Sequence, residues 1–125
     1  MAAGGPAVVV VQIFGVKNSQ ETRAAERFFK ERGKQLQIID LKQKPMAPGE
    51  LRRFTDKFGS LAALLDTEGK SYVDAGLKYL RVSEDELFAR VERDPKLLKL
   101  PLVRRGKYVS VGKDEAAWKA MLDLG

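Results

Sequence analysis

The run VVVVQIF at residues 8–14, a helical stretch behind it and then LQIIDL at 36–41 constrain this chain more than any other feature. Four consecutive valines followed, after Gln12, by Ile13 and Phe14 have the nearly unbroken apolar, β-branched character of a central strand buried on both faces. Gly15 and Lys17 open a loop. The following segment places Ala24, Ala25, Phe28 and Phe29 on one side, the stripe of an amphipathic helix. Gly33 stands where a left-handed residue ends such a helix. Strand, helix and strand within this span make a βαβ unit. Its two strands are predicted to be parallel, with a right-handed crossover.

The helix start offers two caps. Asn18 with Glu21 three residues on fits a capping box, and Ser19 is itself a good N-cap; Thr22 falls in the first turn. Residues 42–48 read as a basic, proline-punctuated loop. Helix signals resume with Leu51, Phe54 and Phe58 and again with Leu61, Leu64 and Leu65, before a turn at 66–69. Ser83 and Glu86 make a capping box for a helix that buries Leu87, Phe88 and Val91. Asp94-Pro95 stops it and starts a short helix through Leu97 and Leu98. In LPLVRRGKYVSVG, residues 100–112, two short strands flank Arg105-Gly106 as a tight hairpin. A last helix after Asp114 is expected to bury Trp118, Met121 and Leu122. Trp118, Phe28, Phe29, Phe54 and Phe58 are the aromatic core candidates.

At 125 residues the chain suits one domain: residues 1–6 as a flexible lead-in and 7–125 as a single folded unit. No window approaches the roughly 18 apolar residues of a membrane span, and the first residues lack the basic region of a secretory signal. A cytoplasmic location, with no membrane partner, is the resulting expectation. There is no cysteine and no histidine. That excludes disulfides, thiolate catalysis and Cys- or His-ligated metals, and it removes the usual general base near neutral pH. No carboxylate cluster suggests a metal site. The net charge of +6 points to acidic partners. Residues 96–113 hold Lys96, Lys99, Arg104, Arg105, Lys107 and Lys113 without one acidic residue, which reads as a solvated hairpin surface. Tyr108 among these cations is a weak nucleic-acid signal; without a nucleic-acid-binding motif, that partner class is not expected.

Three spaced motifs resemble one family. FGVKNSQETRAAERFFKERG (14–33), LLDTEGKSY (64–72) with Gly76-Leu77, and DPKLLKLPLVRRGKYVSVGKDE (94–115) are similar to the ArsC/Spx arsenate reductase family from about residue 10 onward. The resemblance implies an α/β, thioredoxin-like fold. Its mixed four-stranded sheet is flanked by helices, with a helical insertion between the βαβ and ββα halves, and Pro101 is expected to be cis. The family's nucleophilic cysteine falls on Ser19, whose hydroxyl a helix end does not bring to ionisation near neutral pH. Thr22 stands where the Spx branch often has its second redox cysteine. Arginines of arsenate-reducing members fall on Leu100, on Ala62, and near Gly112 or Lys113.

The resemblance implies a family member that has lost thiol-based reductase activity and acts as a binding or regulatory module. Its candidate site is Ser19 at the nucleophile position, with Lys17, Asn18, Gln20, Thr22, Leu100, Pro101 and Lys113 as anion- or ligand-binding residues. No metal or prosthetic cofactor is implied. Glutathione, glutaredoxin or another peptide or protein partner is expected in the former active-site groove. One alternative is a glutathione- and glutaredoxin-linked reductase in which Ser19 is a recent or engineered replacement of cysteine. Another is an Spx-like adaptor that binds RNA polymerase.

Overall fold

The computed structural model describes residues 10–122; the lead-in at 1–6 and the valines at 8 and 9 lie outside them. Strands β1 (Val11–Gly15) and β2 (Leu36–Asp40) flank helix α1 (Gln20–Glu31), and β1 and β2 are parallel, with Val11 opposite Leu36 and Gly15 opposite Asp40. Strands β3 (Leu102–Arg105) and β4 (Tyr108–Val111) form the hairpin, and β3 runs antiparallel to β1 with Ile13 opposite Val103. The sheet order is β2-β1-β3-β4. This is the mixed thioredoxin-like sheet expected from the sequence.

Alternation along the two central strands builds a core on each face of the sheet. Val11 and Ile13 of β1, with Val103 of β3, pack against Phe28 and Phe29 of α1 and against Trp118 and Met121 of α5 (Glu115–Leu122). Phe14 and Leu102 point the other way, into a cluster with Leu51, Phe54, Leu61, Leu64 and Leu98 from the insertion. The insertion comprises α2 (Pro48–Phe58), the five-residue α3 (Lys70–Asp74), α4 (Glu84–Arg93) and single 3₁₀ turns at Ala62–Leu64, Leu77–Tyr79 and Pro95–Leu97.

Several local details depart from the sequence reading. The helical signal at 61–65 yields only the 3₁₀ turn, because Leu61, Leu64 and Leu65 are drawn into the core and Leu65 bridges Leu98. Pro48 is the first residue of α2 and not part of the loop, a position where its missing N–H costs nothing. The hairpin turn is Gly106-Lys107, with Gly106 at φ +62°. Arg105 stays in β3 because its side chain is buried and donates to the Met121 carbonyl. Leu87 and Phe88 are half-buried; Val91 is the fully enclosed member of α4. Leu122 is likewise only partly buried, against the α1–α5 cluster.

Phe58, expected in the core, is 39% exposed, while Phe54 is fully buried and meets Phe14 edge-to-face at 6.0 Å between centroids. Phe58 ends α2 just before Gly59 turns the chain at φ +101°, so the buried stripe stops at Phe54. Phe54→Ala is therefore expected to lower unfolding free energy by about 3–5 kcal/mol. Phe58→Ala should cost less than about 1 kcal/mol. Urea denaturation of the two variants checks the ordering.

Candidate functional site

The junction of β1 and α1 is held by a close approach. A Cβ placed on Gly15 would lie 2.3 Å from Thr22 Oγ1 and 2.5 Å from its Cγ2, inside any permitted contact. Only glycine lets the strand end and the first helical turn pack this tightly. Thr22 is buried, and its hydroxyl has no hydrogen-bond partner among the described residues. Across the short intervening loop the Ser19 N–H donates to the Val16 carbonyl at 3.1 Å, and Arg23 Nε donates to the Lys17 carbonyl at 2.9 Å.

Ser19, in extended conformation, is the N-cap of α1: its Oγ accepts from the Thr22 N–H at 3.1 Å. The Asn18–Glu21 box does not form, because helix geometry begins one residue later than that box requires. The Ser19 hydroxyl is thus employed as a cap, and the chain has no histidine to deprotonate it.

Ser19 opens onto a groove of about 620 Å³ between the start of α1 and the segment that precedes β3. Asn18, Gln20, Leu100 and Lys113 line it too. Lys17 and Thr22 instead line a separate hollow beside Arg23, Glu26 and Asp40. Pro101 follows a cis peptide bond and is fully buried, behind Leu100 rather than in the groove wall. The structure therefore brings Asn18, Ser19, Gln20, Leu100 and Lys113 to one groove and leaves Lys17, Thr22 and Pro101 outside its lining.

Leu100 is 8% exposed and belongs to the same apolar cluster as Leu98 and Leu65, so it fills its position by packing. The Gly112 N–H reaches the carbonyls of Lys99 and Pro101 at 3.1 and 3.0 Å, and the Lys99 N–H donates to the Leu64 carbonyl at 2.8 Å. Between these bonded neighbours, the N–H and C=O of Leu100 make no backbone hydrogen bond among the described residues.

Apart from Lys113, the groove's charged lining consists of residues that motif reading gave no site role. Lys70, Lys96, Lys99 and Lys113 line it against two carboxylates, Glu21 and Asp66. Lys70 is held by Asp74 at 2.8 Å, a hydrogen bond and opposite charge that raise its pKa, and Lys113 lies 3.8 Å from Glu115. Lys96 and Lys99 form no ion pair among the described residues. A Cβ on Gly69 at the groove edge would come within 2.6 Å of Asp66 Oδ2, so a side chain there would displace the Asp66 carboxylate. The usable signal was LLDTEGKSY, which carries Asp66, Gly69, Lys70 and Ser71 together. Arg104 and Arg105 do not join this charge: Arg104 is paired to Glu50 at 2.7 Å on the other side of the hairpin, and Arg105 is buried.

A mixed sheet with this order, a helix start near the loop before a cis proline, and an insertion between the two halves define a thioredoxin-like fold with a helical insertion. The model of the ArsC family matches residues 14–121, so the chain belongs to the ArsC family. An uncharacterized Bacillus subtilis protein, YusI, is 32% identical over 96 residues, 74% of this chain and 81% of its own length. Arsenate reductase from Vibrio cholerae superposes with a TM-score of 0.76 at 22% identity, covering 90% of this chain and 98% of that one. An arsenate reductase (ArsC) related protein from Brucella melitensis gives 0.61 at 22% identity over 96% and 100%. Within that family this chain lacks the cysteine on which thiol reduction depends.

Replacing Ser19 by alanine removes the cap of α1. The expected loss is about 1 kcal/mol of stability, measured by chemical denaturation.

Proposed function

We propose that this ArsC family member is a binding module without thiol chemistry, and that its groove takes an extended, acidic, peptide-like ligand of which glutathione is the smallest example. The observation that carries this reading is the uncommitted N–H and C=O of Leu100 in a lysine-lined groove. An extended peptide can pair with backbone groups that have no internal hydrogen bond through main-chain hydrogen bonds of its own. Glutathione carries two carboxylates and one ammonium. Lys96 and Lys99, which form no ion pair among the described residues, favour that net negative charge. The N–H groups at the start of α1, a twelve-residue helix, add a site for one carboxylate.

Titrating the isotopically labelled protein with glutathione is expected to shift the amides of residues 17–22 and 99–102 saturably. The double variant Lys96→Glu/Lys99→Glu should weaken binding about tenfold or more, since two partly exposed charge contacts are each worth up to ~1 kcal/mol. Absence of any saturable shift overturns the proposal. In a coupled assay with glutathione and glutaredoxin, the protein is expected to give no arsenate reduction; measurable turnover would favour the reductase reading instead.

A further inference from the structure

A second cavity, away from the Ser19 groove, lies between α2, α4 and the loop that joins β2 to α2. Its volume is about 340 Å³, at the lower end of the roughly 300–1,000 Å³ typical of small-molecule sites. The floor is apolar and well buried: Leu41, Leu51, Val91 and Leu98 are each at most 5% exposed. Half-buried Phe88 and Met46 form the walls. Pro45 and Pro48 bracket Met46 and restrict the loop's backbone on that side.

The charges at the mouth are uneven. Asp85 and Glu92 both line the cavity from α4; seven residues apart, they lie on one helix face, two turns from each other. Arg52 of α2 is the one cation in the lining. None of the three forms an ion pair among the described residues. The neighbouring acid Glu86 is already bound by Arg90 and Arg93, which leaves Asp85 and Glu92 as the available carboxylates on this face.

We infer that this cavity is a binding site for a small molecule with an apolar body and an ammonium group, the body against Leu51, Phe88 and Leu98 and the ammonium at the Asp85–Glu92 lip. An apolar body displaces water from a concave surface that the fold leaves uncovered. The two carboxylates set the sign of the charge it carries. The site is independent of the groove's occupant, although Leu98 stands in the walls of both cavities.

The test is an NMR titration of the whole chain with phenethylamine and, separately, with 3-phenylpropionate, an aryl-alkyl acid of opposite charge. Phenethylamine should shift the signals of Leu51, Phe88 and Leu98 saturably, and phenylpropionate should bind at least about fivefold more weakly. Asp85→Asn/Glu92→Gln, two exposed substitutions, should abolish that preference while leaving the spectrum of the free protein largely unchanged. Filling the cavity with Ala89→Phe should remove binding of both probes, with circular dichroism checking the fold. No saturable shift, equal or tighter binding of the acid, or a preference unaffected by the double substitution would each overturn the assignment.

Discussion

The contact between Gly15 and Thr22 is the constraint on which the site depends. It joins the last residue of β1 to the first turn of α1 with no room for a side chain on the strand, so the loop between them is forced into a short, closed path. That path brings Ser19 to the cap position and places the first residues of α1, Gln20 and Glu21, in the groove lining. On the other side of the groove, Gly112 clamps the carbonyls of Lys99 and Pro101. Two backbone segments far apart in the chain thereby become the facing walls of one cleft.

What fills that cleft differs in kind from a reductase site. A thiol at a helix start is activated by the dipole and the orphan N–H groups because its pKa is already near neutrality. A serine hydroxyl is not, and here it serves the helix as a cap. Leu100 joins the apolar cluster and supplies no guanidinium. The positive charge of the groove comes from lysines, which act as flexible point charges and not as planar forks. The family scaffold is present without the cysteine that thiol reduction requires.

Much of the fold was legible because its signals are strong and local. The apolar run ending at Phe14, the Phe28–Phe29 stripe, Gly33 and the hairpin through Gly106 correspond to β1, α1, its end and β3–β4. The Ser83 cap formed as read, with its hydroxyl accepting from Glu86 N–H at 3.2 Å. The insertion was less legible. Its elements are short: α3 has five residues, and three others are single 3₁₀ turns. Their geometry is set by burial of Leu61, Leu64 and Leu77 against the sheet more than by helical periodicity. The basic run misled for a related reason. Charge composition does not show which side chains a strand turns inward, so Arg105 read as surface and Lys96 and Lys99 as hairpin rather than groove.

The sequence by itself determined the βαβ start, the absence of thiol and imidazole chemistry, and the resemblance to the ArsC family, because composition and spaced motifs are one-dimensional properties. Only the tertiary structure decided that Lys17 and Thr22 lie outside the groove's lining, that Lys70, Lys96 and Lys99 belong to it, and that Leu100, also in the lining, makes no backbone hydrogen bond among the described residues. The physical reason is that a cleft is made by segments distant in sequence. Which side chains share it depends on helix rotation and on competition for core volume, and neither is written in local pattern.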